Sequence, residues 1–201
     1  MRHLRAVDNR QRSWRLQIES QANNLSSPSM QRIMVIGCGG AGKSTLSKRL
    51  HDILGLPIFH LDQIYWKSGW VESEKEQWVA ASEKLTDLSK WIIDGNYGST
   101  MDMRIKRADT IIYLDYSTFK CLYRITKRLW KYKGTSRPDM TEGCPERFDL
   151  EFYHYVLTYN MTRRKNILTK LAAVKDDKKV YVLRNDREVK DFLGEIQIGL
   201  T

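Results

Sequence analysis

Cysteine, proline and long apolar runs are all scarce in this sequence. Cys38, Cys121 and Cys144 are its three cysteines, an odd number, far apart and without a C-x-x-C pair. That excludes a disulfide scaffold and a thiolate zinc site, and it points to a reducing compartment, the cytoplasm. No stretch approaches the roughly 18 consecutive apolar residues of a membrane-crossing helix. Acidic side chains are outnumbered, 24 Asp and Glu against 34 Lys and Arg, for a net charge of +10. Such a balance predicts anionic partners without choosing among nucleotides, nucleic acid and lipid head groups.

What is present suits one α/β domain. The 201 residues are 41% hydrophobic, enough for a sizeable core. Residues 1–29 stand apart. They carry Arg2, Arg5, Arg10, Arg12 and Arg15 against Asp8 and Glu19, lack lysine, and end in the polar run NNLSSPS. They read as a disordered arm ahead of a domain that starts at Met30, with a nucleic-acid-binding or targeting arm as the alternative. No apolar segment of a secretory signal is found there.

From Gln31 onward strands and helices alternate. RIMVI (32–36), PIFH (57–60), WIID (91–94), TIIYL (110–114) and KVYVL (179–183) are short, β-branched and almost continuously apolar. Such stretches make parallel strands buried on both faces. Helices are expected over about 43–54, from Ser73 behind a Ser73-x-x-Glu76 capping box, after Ser99, over 118–132, over 149–174 and over 186–196. Trp78, Ala81, Leu85 and Leu88 would face inward from the second helix, and Phe119, Leu122, Ile125 and Leu129 from the fourth. The alternation implies a parallel sheet covered on both sides.

The stretch GCGGAGKST, Gly37 to Thr45, satisfies two patterns. Gly37, Gly39 and Gly42 fit the dinucleotide fingerprint G-x-G-x-x-G. Gly37, Gly42, Lys43 and Ser44 fit the P-loop, G-x-x-x-x-G-K-[ST]. Asp62 lies where a dinucleotide fold places its ribose-binding acid, so spacing alone leaves NAD open. Lys43 and Ser44 decide for the P-loop, because a dinucleotide site has no use for the pair. In a P-loop the amides of Gly37, Cys38, Gly39, Gly40, Ala41, Gly42, Lys43, Ser44 and Thr45 cradle phosphates. The lysine reaches the outer phosphates, and the Ser44 hydroxyl binds Mg²⁺. ATP and Mg²⁺ are therefore the expected ligands.

Several features favour a kinase among nucleotide-binding proteins. Asp62, at the carboxyl end of the second strand, is placed to orient or deprotonate an acceptor hydroxyl. Asp94 ends the third strand as a Walker-B-like acid for Mg²⁺, and Asn96 and Tyr97 follow it as substrate contacts. His60 reads as strand packing. Tyr65 and Trp66, with Trp70 and Tyr97, supply rings for a planar or sugar-like acceptor. A basic segment from Lys120 to Arg137 carries Arg124 and Arg128 and runs into KYKGTSRPDMTEGCPERFD, a connector of lid type over about 132–148. Arg124 and Arg128 would stabilise the charge of phosphoryl transfer, and Arg137 would join the substrate-binding set.

Block after block, GCGGAGKST, PIFHLDQIYWKSGW, WIIDGNYGSTMDMRI, ADTIIYLDYS, CLYRITKRLWKYKGTSRPDMTEGCPERFDLEF and KKVYVLRNDREVKDFL resemble bacterial DNA topology modulation proteins, the FlaR-related group. The likeness covers about Met30 to Leu193. The layout is also similar to adenylate-kinase-like P-loop kinases. That resemblance implies strand order 2-3-1-4-5, a nucleotide on Gly37–Thr45, a lid after the fourth strand, and lid-flanking roles for Arg124 and Arg128. Adenylate kinases carry a substrate-binding arginine soon after the Asp-Gly pair; here Asn96 and Tyr97 follow it, which argues against AMP as acceptor. The expected activity is transfer of the ATP γ-phosphoryl to a small acceptor. The alternatives are a DNA-associated, topology-modulating NTPase and a bare NTPase without an acceptor. No base-reading motif supports a nucleic-acid partner.

Overall fold

The five apolar stretches become the five strands of one parallel sheet. A computed structural model of the protein describes residues 30–199; the arm read over residues 1–29 lies outside them. In chain order the elements are β1 (Arg32–Gly37), α1 (Lys43–Leu54), β2 (Ile58–His60), α2 (Leu61–Tyr65), β3 (Trp66–Lys67), β4 (Val71–Glu72), α3 (Lys75–Thr86), β5 (Trp91–Asp94), α4 (Gly98–Arg107), β6 (Thr110–Leu114), α5 (Thr118–Tyr132), α6 (Leu150–Thr162), α7 (Arg164–Ala172), β7 (Lys179–Leu183) and α8 (Asp186–Ile198). The sheet runs β2-β5-β1-β6-β7 with every pair parallel. Because β3 and β4 pair only with each other, this is the expected order 2-3-1-4-5.

Burial follows from that order. The central strands β1, β5 and β6 are apolar on both faces and fully covered, from Ile33 to Ile36, Trp91 to Ile93 and Ile111 to Tyr113. Removing each such aliphatic side chain from water is worth about 1.5–3 kcal/mol. The edge strands β2 and β7 are only partly buried. Helix α1 packs on β1, β2, β5 and α8, while α4 packs on β1 and α3, giving a three-layer α/β/α fold. Among the described residues no helix is long and apolar enough to cross a membrane.

The chain leaves β1 toward one side of the sheet, to β2, and leaves β5 toward the other, to β6. The carboxyl ends of β1 and β5 therefore border a crevice, the usual ligand position in such sheets. Register sets Asp94 beside Val35 on one side and beside His60 on the other.

Several helix details differ from expectation. Helix α3 starts at Lys75, and the Ser73 capping box does not form. The Ser73 hydroxyl donates backward to the carbonyls of Ile64 and Tyr65, closing the β3–β4 hairpin. The buried stripe of α3 is Trp78, Ser82 and Thr86, with Leu88 exposed. Thr86 tolerates burial because its hydroxyl bonds back to Ser82 and Glu83. On α5 the inward residues are Cys121 and Ile125, whereas Phe119 is exposed. The helix expected over 149–174 divides at Arg163 into α6 and α7. Thr158 and Thr162 near that break bond back to carbonyls one turn earlier, a contact that bends helices.

Candidate active site

Strand β1 feeds directly into the glycine loop, and backbone geometry explains the glycines. Gly37 has φ +154°, and a Cβ there would lie 2.8 Å from the Leu114 carbonyl. Gly40 has φ +79°, and a Cβ would lie 2.5 Å from the Cys121 carbonyl. A side chain at either position would displace backbone. The turn is closed by Ala41 N–H on the Cys38 carbonyl at 3.1 Å, and α1 starts at Lys43, so its positive dipole end faces the loop.

Lys43 folds back into this turn. Its ammonium donates to the carbonyls of Gly37, at 3.1 Å, and Cys38, at 3.2 Å. The Ser44 hydroxyl meets Asp139 on the connector between α5 and α6. Burial alone would raise the Asp139 carboxyl, but Arg137 and the Ser44 hydroxyl outweigh it and hold it below the usual range. Thr45 lies exposed on α1. Cys38 is buried in the loop, and its thiol is pushed up by its hydrogen bond to Cys121 and by burial.

Asp94, 4% exposed, ends β5 and accepts a 2.8 Å bond from His60 Nδ1. Burial alone would lower the His60 imidazole. The bond to Asp94 and the charges of Asp94, Asp139 and Asp62 outweigh it and raise it above its ordinary value. Among the described residues no group of three or more His, Cys, Asp or Glu side chains is arranged as a metal site. The donors present, one hydroxyl on Ser44 and the nearby carboxylates of Asp94 and Asp139, still fit Mg²⁺. That ion keeps much of its water and binds through one or two protein oxygens plus phosphates.

The loop after β5 is held by Arg104, a fully buried residue of α4 that sequence reasoning missed. Its guanidinium donates to the carbonyls of Gly95 (2.9 Å), Asn96 and Tyr97 (2.8 Å), and to the Thr100 hydroxyl. Burial pulls it down to about 9. This clamp steadies Tyr97 at φ 30°, an unusual conformation for a residue with a side chain. The Tyr97 hydroxyl donates to Asp62 Oδ1 at 2.7 Å. Asn96 faces the scaffold. Its side-chain Oδ1 accepts from Gly37 N–H at 3.0 Å, and its Nδ2 donates to the Tyr155 hydroxyl at 2.7 Å. The start of the phosphate loop and the Asp94 loop are thereby joined. Arg104 left one signal in the sequence, a charge on the same α4 face as Thr100, Met101 and Ile105.

Aromatic rings border Asp62. Tyr65 touches Tyr97 at 4.8 Å, Trp78 at 5.2 Å and Trp66 at 5.1 Å between ring centres. Trp66 in turn meets Trp70 at 5.4 Å.

The two α5 arginines divide their work. Arg124 donates to the Ala41 carbonyl of the loop at 3.0 Å, pairs with Asp186 at 2.5 Å and stacks on Tyr116. Arg128 pairs with Glu146 on the connector at 2.8 Å. Arg137 pairs with Asp139 at 3.0 Å, and its Nε lies 2.9 Å from Glu146, off the hydrogen-bond line. The connector is also fastened to residues 63–70. Gln63 donates to the Pro138 carbonyl, Thr141 to those of Gln63 and Trp66, Gly69 N–H to Gly143, the Cys144 thiol to Lys67, and Trp70 Nε1 to Pro145.

No family model and no curated protein matches the chain. Solved structures do. A shikimate kinase from Acinetobacter baumannii in complex with shikimate aligns with a TM-score of 0.51 at 18% identity, over 86% of this chain and 94% of that one. A gluconokinase from Sinorhizobium meliloti 1021 gives 0.48 at 16% identity, over 85% and 91%. A deoxyadenosine kinase from M. mycoides gives 0.44 at 22% identity, over 84% and 97%. At 18% identity the likeness to the shikimate kinase is one of fold alone: the chain shares its α/β architecture.

Proposed function

We propose that this protein is an ATP-dependent phosphotransferase that moves the γ-phosphoryl group to a hydroxyl of a small acceptor. The observation that carries the reading is the meeting of two half-sites. The loop of Lys43 and Ser44 lies against the Asp139 connector, and Asp62, braced by Tyr97, lies within electrostatic reach of the same His60 as Asp94 and Asp139. The motif blocks support a place in the DNA topology modulation group, among the adenylate-kinase-like kinases.

The roles follow from the positions. Loop amides between Cys38 and Thr45 hold the phosphate tail, those of Gly37 and Ala41 being taken by Asn96 and Cys38, and Lys43 leaves its two carbonyls for the outer phosphates. Ser44 and Asp94 would hold Mg²⁺, directly or through its water. The ion, when bound, draws charge from the phosphate oxygens. Asp62 orients the acceptor hydroxyl and takes its proton as the new P–O bond forms and the β–γ bridge bond breaks, with ADP leaving. Arg124 at Ala41 and Arg128, both on α5, supply positive charge to the transferring group. Tyr65, Trp66 and Tyr97 border the acceptor, and Arg137 helps fix the connector over it. Asn96 serves by holding the Asp94 loop to Gly37.

Lys43→Ala tests the reading. Phosphoryl transfer should fall by about 10²-fold or more while circular dichroism and the unfolding temperature stay near wild type. Unchanged turnover in that variant would remove the basis for the assignment.

A further inference from the structure

The charge inventory of the acceptor edge bears on what the acceptor is. An enzyme that binds a phosphate or carboxylate on its acceptor offers it guanidinium, ammonium or unspent amide donors. Among the described residues, four basic side chains around this edge are already engaged. Arg104 is fully buried, and its guanidinium is turned to three backbone carbonyls and Thr100. Arg137 lies between Asp139 and Glu146, Arg128 is on Glu146, and His60 is on Asp94. If Arg128 and Arg137 turn toward ATP during transfer, Asp139 and Glu146 lose their counter-charges, and the edge becomes more negative.

Asp62 points the same way. Its carboxylate accepts from a neutral phenol, Tyr97, and has no ion-pair partner among the described residues. An anion brought beside it would meet like charge. What this edge does offer is the half-buried rings of Tyr65 and Trp66, set edge to face at 88°, beside that one hydrogen-bond acceptor. Such a pairing suits a ring that carries hydroxyl groups.

We propose that the acceptor carries no negative charge and is a neutral, hydroxyl-bearing ring compound of the nucleoside or sugar class, rather than a nucleotide, a phosphosugar or a carboxylic acid. This rests on the kinase reading above. The hydroxyl oxygen attacks the γ-phosphorus of ATP, its proton passes to Asp62, and ADP leaves; the product alone gains negative charge.

The test uses the full chain, Mg²⁺ and γ-labelled ATP. A deproteinised bacterial metabolite extract is divided on a strong anion exchanger into an unretained fraction, neutral and cationic, and a retained fraction of anions. Label should pass into a new compound from the unretained fraction, at least about tenfold more than from the retained one, and Lys43→Ala should abolish it. Label appearing from the retained fraction alone would overturn the proposal. So would the absence of a labelled product from both fractions when calorimetry shows that a non-hydrolysable ATP analogue binds. Failure of that analogue to bind would instead overturn the kinase reading, so the two failures are distinguishable.

Discussion

The phosphate loop and the acceptor edge are built by different means. Between Gly37 and Thr45 the proposed recognition would fall to main-chain groups close together in the chain, with Lys43 reaching back to the carbonyls of Gly37 and Cys38. The acceptor edge is assembled from four separate stretches. Asp62 is fixed by Tyr97, Tyr97 by Arg104, Asn96 by Gly37 and Tyr155, and the connector by residues 63–70. A site made of neighbours in the chain tolerates variation elsewhere in the fold. A site made of distant contacts depends on all of them at once.

Substitutions on the two sides should therefore fail differently. The largest effect belongs to the loop. Gly40→Val puts a branched side chain at φ +79° against the Cys121 carbonyl. Nucleotide affinity measured by calorimetry should fall by about 10²-fold or more, with stability lowered by about 2 kcal/mol. Binding like wild type would show that this glycine is not needed for the cradle.

On the acceptor side Asp62→Asn should lower kcat by about 10²-fold while ATP-analogue affinity changes little, since it removes the proton acceptor and leaves the loop alone. A matching loss of analogue affinity would mean that the two sides are not separable.

Arg104→Met should sharpen the contrast further. It leaves the carbonyls of Gly95, Asn96 and Tyr97 without their donor, at a cost of about 3 kcal/mol in denaturant unfolding. The KM for the acceptor should rise more than that for ATP. Equal changes in the two would assign Arg104 a merely structural role.

The smallest effect lies beside the loop. Burial alone would raise the Asp186 carboxyl, but Lys120, Tyr116 and Arg124 hold it well below the usual carboxylate range. A depressed carboxyl contributes stability above its unfolded pKa and loses it as pH falls toward the folded one. Its side chain is 60% exposed, so screening leaves little. Asp186→Asn should lower the unfolding temperature by no more than about 3 °C at neutral pH, and the difference should vanish in acid. A difference that grew on acidification would have the wrong sign for this carboxylate.

How much of this was legible in the sequence follows the same division. The strands could be read because their β-branched runs are local, and the loop because its glycines, Lys43 and Ser44 keep a fixed spacing. Helix faces were harder. Leu88 and Phe119 fit an apolar stripe by spacing, yet both are exposed, while Ser82 and Thr86 are buried. Thr86 repairs its own hydrogen bonding through Ser82 and Glu83, which periodicity does not report. The roles of His60, Asp139 and Glu146 come from partners up to dozens of residues away and no local pattern marks them, while Arg104 shows only as a charge on the buried face of α4. Asn96 was visible as a residue of the loop, but the direction of its amide, toward Gly37 and Tyr155, depends on tertiary contacts.

The most direct measurement is a crystal structure grown with magnesium and a non-hydrolysable ATP analogue. The triphosphate should lie along the loop from Cys38 to Thr45, with the Lys43 ammonium on its outer phosphates and the ion near Ser44. A loop without phosphate, or one holding a nicotinamide dinucleotide instead, would contradict the account.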